Sequence, residues 1–202
     1  MRLHVLETMR SLAGDRVVLR PLDKGDLRRC VKWLSDREVT YFLGRSSSIT
    51  LGEEERWFRE YERKSDEQIF AIELEGRHIG NAGLHRIDRT HRKADLGIMI
   101  GEASLWSHGY GSDALRTLLG YAFAELGLHK VSLDVLEYNH RGIRTYEKAG
   151  FVREGLHRQD IFKDGRFFDV VRMGILAEEF ARGSSESPAS ALEVPGLESK
   201  ET

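Results

Sequence analysis

Apolar residues along the chain change their period several times, and each change marks an element. Val17-Val18-Leu19 is a β-branched run closed by Arg20-Pro21 and reads as a strand. Leu27, Cys30, Val31 and Leu34 then recur at helical spacing, with Asp26 placed to cap them. Thr50-Leu51-Gly52-Glu53 has the form of a capping box and opens a second helix, which turns Trp57, Phe58 and Tyr61 inward. From Ile69 the pattern becomes strand-like: Ile69 to Leu74, Ile79 to Leu84 and Leu96 to Ile100, with a turn at Glu75-Gly76-Arg77. A helix over roughly Gly111 to Leu126 buries Ala114, Leu115, Leu118, Leu119, Ala122 and Phe123. Val131 to Leu136 is a strand, and Arg141 to Ala149 is a helix stopped by Gly150. Phe151 to Phe162 and Phe167 to Leu176 form a closing hairpin around Lys163-Asp164-Gly165.

This order predicts an α/β fold with a mixed, predominantly antiparallel sheet flanked by helices, and no internal repeat. Composition narrows the picture. The chain has 202 residues, enough for one domain with a proper core, and 32% charged against 40% hydrophobic residues is the balance of a globular protein. A net charge of −2 supplies no field to draw it onto nucleic acid or an anionic membrane. Cys30 is the only cysteine, which excludes an intrachain disulfide and suits a reducing cytoplasm. The histidines at 78, 85, 91, 108, 129, 140 and 157 lack the paired spacing of a helical metal motif, so no metal is expected. Residues 1–14 read as an extension, neither signal peptide nor membrane span. Residues 183–202 hold few large apolar side chains and read as a disordered tail.

Candidate chemistry concentrates in Trp106-Ser107-His108-Gly109-Tyr110-Gly111-Ser112-Asp113-Ala114, between a strand and a helix. Two glycines let a ligand approach the main chain, and the adjoining helix start offers free N–H groups to an anion such as pyrophosphate. A glycine-rich turn without a ligand is the plain alternative. The P-loop string is absent. Gly109 to Ala114 does fit the dinucleotide fingerprint Gly-x-Gly-x-x-Ala, with Asp134 about twenty residues on as a ribose-binding acid. Its context is wrong: eight residues separate Ile100 from Gly109, where the fingerprint strand runs straight into its first glycine, and a hairpin follows rather than further βαβ units.

Trp106-x-x-Gly109-x-Gly111, followed by Asp113-Ala114, Asn139, Tyr146 and Lys148-Ala149-Gly150-Phe151, resembles the GCN5-related N-acetyltransferase family. The likeness is to its ribosomal-protein N-terminal and spermidine acetyltransferase branch, and covers about Arg16 to Leu176. It implies the acyl-CoA N-acyltransferase fold for residues 15–182, with acetyl-CoA as cosubstrate. In that fold the fourth and fifth strands splay, and pantetheine pairs with the fourth. The resemblance therefore makes Ile98, Met99 and Ile100 backbone ligands, with Gly97 easing a bulge that opens the gap. It makes Trp106, Ser107, His108, Gly109, Tyr110, Gly111 and Ser112 the phosphate cradle, with Asn139 beside it. Homodimers are common in this branch, so a homodimer is one expectation.

Acetyl transfer needs a neutral amine and a proton for the departing thiolate. Asn139 and Tyr146 are seven apart across a helix start, about two turns on one side. By resemblance Tyr146 is the acid, and a phenol with a pKa of about 10 suits a thiolate. Asp134 matches the position of a base that acts through water, and Glu102 and Glu137 are alternatives; each also reads as a solvated or ion-paired acid. A protein α-amine, with a pKa of about 7.7–8.0, needs about one unit of help to be neutral at pH 7. A lysine or polyamine amine needs about 3.4 units, or roughly 4.6 kcal/mol. The leading acceptor from sequence is therefore a protein or peptide N-terminal amine, with a polyamine or aminoglycoside-like amine as rival. A non-catalytic acyl-CoA-binding domain is the alternative of another class. Asp36, Glu38 and Glu53-Glu54-Glu55 are candidate attractors for a cationic acceptor, or solvated helix faces.

Overall fold

The computed structural model describes residues 9–44 and 48–185. Eight strands form one sheet in the order β1-β2-β3-β4-β5-β6-β8-β7. They are β1 (Leu12–Ala13), β2 (Val18–Pro21), β3 (Gln68–Leu74), β4 (Arg77–Asp88), β5 (Lys93–Ile100), β6 (Lys130–Leu136), β7 (Val152–Lys163) and β8 (Arg166–Leu176). Every neighbouring pair is antiparallel except β5 and β6, which run parallel.

Helix α4 (Tyr110–Ala124) lies on one face, where Ala114, Leu115, Leu118, Leu119 and Ala122 are fully buried against Val131, Leu133, Met173 and Ile175. Helix α5 (His140–Lys148) joins this face through Ile143. The opposite face carries α1 (Leu27–Leu34) and α3 (Leu51–Tyr61), with Leu27, Cys30, Phe58 and Tyr61 over Ile69 and Ala71. The short α2 (Arg37–Thr40) lies between α1 and α3 in sequence, and α6 (Ala177–Ser185) follows the last strand.

Local chemistry explains most boundaries. Thr50 and Glu53 make the reciprocal capping box that starts α3. Asp26, expected as the cap of α1, makes no cap bond; Asp23 caps the preceding turn instead, accepting from Gly25 N at 2.6 Å. Asp26 is drawn away because its two oxygens receive Arg20 Nη1 at 2.7 Å and Nη2 at 2.8 Å. On α1 the buried aromatic is Trp33, while Val31 and Leu34 are only half-buried. Trp33 lies on Gly101, where a Cβ would fall 2.0 Å from the indole, so only glycine fits after β5.

The ends of the chain differ from expectation. Met9 and Leu12 belong to the main core, and Leu12–Ala13 pairs with β2, so the sheet begins inside the segment read as an extension. Its apolar positions were too few for a periodic signal. At the other end α6 carries on through Gly183, and residues 186–202 of the expected tail lie outside the described residues, as do residues 1–8. Among the described residues no helix is long and apolar enough to cross a membrane.

Candidate active site

The site begins where β5 and β6 part. They pair only at Lys93 with Lys130, Ala94 with Val131 and Asp95 with Ser132. Beyond Asp95, β5 stays paired with β4 while β6 stays paired with β8 as far as Leu136 and Val170. A cavity of about 490 Å³ occupies the gap. Gly97 does not open it through a bulge: Gly97 pairs regularly with Gly83, and the register shift between β4 and β5 lies at His85 to Asp88. At the foot of the gap Arg172, on β8, reaches Asp134 Oδ2 at 3.0 Å and Asp95 Oδ1 at 2.6 Å. One guanidinium thus ties three strands together just where two of them diverge.

Strand geometry decides which of Ile98, Met99 and Ile100 can serve a ligand. Gly101 N donates to Ile79 O at 2.9 Å on β4, and Trp106 Nε1 donates to Ile100 O at 2.8 Å from the open side. Main-chain groups alternate along a strand, so Ile98 and Ile100 turn theirs into the gap while Met99 turns its own to β4. All three line the cavity, but Met99 is corrected from a backbone ligand to a side-chain wall. Trp106 takes the Ile100 carbonyl, which leaves Ile98 N–H, Ile98 C=O and Ile100 N–H for an extended amide-bearing chain.

The other wall is the start of α4. Gly109 is its N-cap residue, left-handed at φ +88° with no side-chain cap, and Ser107 is also left-handed at φ +63°. The first helical bond is Asp113 N to Gly109 O at 3.0 Å, so the amides of Tyr110, Gly111 and Ser112 have no acceptor within the helix. Asp113 would oppose an anion here. Its carboxylate is instead turned away and buried, accepting from the amides of Asp15, Arg16 and Val17 at 3.2, 2.8 and 3.0 Å. The cradle therefore fits a pyrophosphate on its donors and charge.

Ser107, Gly109, Gly111 and Ser112 line the cavity, but the side chains of His108 and Tyr110 do not. His108 Nδ1 bonds to Trp106 O at 2.8 Å, and Arg16 bonds to His108 O and stacks 4.4 Å from the Tyr110 ring centroid. These two residues keep the loop in shape and offer only their main chain. Trp106 itself lines the cavity, with Arg141 4.0 Å from its ring centroid.

Asn139 and Tyr146 both reach the cavity from α5. Asn139 caps the helix, its Oδ1 accepting from Gly142 N at 2.9 Å, which leaves its amino group free of any partner among the described residues. The Tyr146 ring packs edge-on against Phe151 at 5.9 Å, and its hydroxyl has no hydrogen-bond partner among the described residues. Burial alone pushes this phenol from 10.0 up to about 12. The phenol is thus held neutral at the cavity wall.

Asp134 lines the cavity, but with one oxygen committed to Arg172. Glu102 pairs with Arg77 at 2.9 Å, and Glu137 Oε1 accepts from Asp169 N at 3.3 Å; neither lines the cavity. Asp36 and Glu53 are spent as caps. Sequence reasoning missed Asp160, Phe42 and Arg141, all of which line the cavity. Asp160 is an exposed acid on β7 with no ion pair among the described residues, and no local motif announces it. Among the described residues no group of three or more His, Cys, Asp or Glu is placed to hold a metal ion.

Comparison with known proteins agrees with this geometry. A family model described as the Acetyltransferase (GNAT) domain matches residues 16–152. The spermidine N(1)-acetyltransferase of Vibrio cholerae serotype O1 is 29% identical over 172 residues, covering 85% of this chain and 99% of that one. A crystal structure of spermidine N-acetyltransferase from Vibrio cholerae in complex with CoA and spermine superposes with a TM-score of 0.78 at 29% identity, over 82% of this chain and 98% of that one. The ribosomal N-acetyltransferase-like protein YdaF of Bacillus subtilis (strain 168) is 31% identical over 106 residues, 52% of this chain and 57% of that one. The splayed sheet with an uncapped helix start beside the gap accords with these likenesses, and the chain belongs to the GNAT acetyltransferase family as an acetyl-CoA-dependent N-acetyltransferase.

Proposed function

We propose that the acceptor is a polyamine of the spermidine type. The observation that carries this reading is Asp160, an acid without an ion pair among the described residues, which lines the cavity together with Asp134. A flexible amine with several positive charges can place one nitrogen at the thioester and another near a carboxylate. The near full-length likeness to a spermidine acetyltransferase supports the same acceptor. The protein N-terminal amine favoured from sequence has support from a relative matched over only about half its length.

In this reading pantetheine pairs with Ile98 and Ile100, and the pyrophosphate sits on the amides of Tyr110, Gly111 and Ser112. The neutral amine attacks the thioester carbonyl, the C–S bond breaks, and Tyr146 gives its phenolic proton to the departing sulfur. The amine proton leaves through water to the free oxygen of Asp134, while Arg172 holds the other. A polyamine nitrogen must shed about 3.4 pKa units, roughly 4.6 kcal/mol, to be neutral at pH 7. Entry into an enclosed gap supplies part of this by desolvation; the Asp134 carboxylate, which by itself favours the ammonium, serves only as the acceptor of the departing proton. A cytoplasmic location fits a coenzyme A-dependent reaction and a lone, buried thiol.

Thiol release is the test. Spermidine, spermine, an aminoglycoside and short peptides with free α-amines are offered with acetyl-CoA. Turnover of polyamines well above peptides is the expected result; efficient use of peptides alone would restore the N-terminal acceptor.

A further inference from the structure

Lys163, at the end of β7, takes no part in the chemistry above, yet it is 4% exposed. Its Nζ donates to three main-chain carbonyls: Thr40 O at 2.8 Å, Tyr41 O at 2.7 Å and Leu43 O at 3.2 Å. An ammonium has three donors and no acceptor, so these carbonyls satisfy it completely. The Tyr138 hydroxyl adds a second donor to Tyr41 O at 2.7 Å. Lys163 Nζ also lies 5.3 Å from the Tyr41 ring centroid.

The segment held in this way borders the reaction space. Phe42, Leu43 and Gly44 line the cavity directly after α2 and belong to no helix or strand. Gly44 faces Ile161 on β7, where an added Cβ would make ordinary contact at 3.6 Å. The Phe42 ring meets Trp106 edge-on at 6.0 Å, next to the coenzyme loop. The last residues of β7 therefore supply both part of the cavity wall, through Asp160 and Ile161, and, through Lys163, the anchor for the segment after α2.

We propose that Lys163 is a positioning residue that fixes the main chain of Tyr41 to Gly44 as one wall of the acceptor site, setting affinity for the amine without touching it. This rests on the part of the cavity lined by Asp160 receiving the acceptor. A lysine of merely structural value would affect both substrates alike or neither, so the two Michaelis constants separate the cases.

Wild type, Lys163→Met and Tyr138→Phe are compared by thiol release, using spermidine or, if wild type prefers it, a peptide amine. Losing charge-assisted bonds to the wall should raise the acceptor KM about ten-fold in Lys163→Met and about three-fold in Tyr138→Phe, while the acetyl-CoA KM stays within about two-fold. Hydrogen exchange at amides 41–44 should quicken in both variants, with the first turn of α4 unchanged. Exchange is read without any amine, so failure of the polyamine reading leaves this arm intact. Should Lys163→Met not fold, Tyr138→Phe carries both measurements. Unchanged exchange at 41–44 would sink the proposal, and so would a parallel rise of both KM values or an acceptor KM that does not move.

Discussion

In the proposed mechanism Tyr146 supplies the proton to the departing sulfur. It packs on Phe151 through its ring and carries no partner on its oxygen among the described residues, so Tyr146→Phe removes the hydroxyl and little else. Turnover should fall about 10²- to 10⁴-fold. The dissociation constant for acetyl-CoA, measured by calorimetry, should stay nearly constant; an equal loss in both would assign Tyr146 to binding. Because burial raises the phenol to about 12, the acid form persists through neutral pH and is lost only as pH rises toward that value. A raised value also means that its stability contribution is present below 10.0 and disappears as pH climbs through about 12. A pH-rate profile should accordingly show no descending limb near 10 from this group. Gly109 is the other decisive residue. Its φ of +88° strains any side chain, and a Cβ would lie 2.9 Å from Arg16 Nη1. Gly109→Val should cost about 1–2 kcal/mol of stability from backbone strain. It should also weaken acetyl-CoA binding by displacing the cradle amides; unchanged affinity would remove the cradle assignment. Tyr146 was visible only through resemblance, and Gly109 through its backbone need. The sequence hid the Arg16 contact, which depends on two segments far apart in the chain.

At the scale of elements, the entry to α1 rests on charge rather than on the cap that its sequence suggests. Burial works to raise the Asp26 carboxyl, but the hydrogen bonds from Arg20, with His78 Nδ1 3.1 Å away, overcome it and hold the group well below the ordinary carboxylate range. A depressed carboxyl contributes stability that is complete above its unfolded value of 3.8 and is lost as pH falls through the lower folded value. Asp26→Asn leaves Arg20 without its main partner, and since Arg20 is 25% exposed, solvent recovers part of the loss. Denaturant titration at pH 7 should show a destabilisation of about 2–4 kcal/mol. The gap from wild type should narrow in strong acid; a gap independent of pH would mean that packing, not charge, is at stake. Such pairs explain what was legible here. Long periodic elements, α3, α4, β6 and the β7–β8 hairpin, were readable to within a residue or two. Helix α2 spans four residues, Arg37–Thr40, too short for a period to register. Trp33 was passed over because the groove that receives it exists only once Gly101 lies beneath it.

The whole molecule is two sheet halves, β1 to β5 and β6 to β8, held by three parallel residue pairs, the Arg172 clamp and α4 across their common face. Resemblance announced that a gap would exist. Asp134 was legible by resemblance, but Phe42 and Asp160 were not, because they come to line the cavity only when the segment after α2 and β7 close on it. A ligand lying in the gap replaces missing strand-to-strand contacts, so acetyl-CoA should stabilise the fold as well as react. At a hundred times its dissociation constant the gain is about 2.7 kcal/mol, and a domain of this size should melt roughly 5–10 °C higher. Any tight ligand would do that much. The distribution of protection is more specific. Ile98 and Ile100 turn their amides into the gap, and the first amides of α4 lack acceptors, so hydrogen exchange at these positions should slow on adding acetyl-CoA. The Met99 amide already faces β4 and should change little. Equal protection along 98–100 would mean that the coenzyme stiffens β5 as a body rather than pairing with it. Protection of Met99 alone would reverse the strand's orientation and with it the assignment of the pantetheine wall.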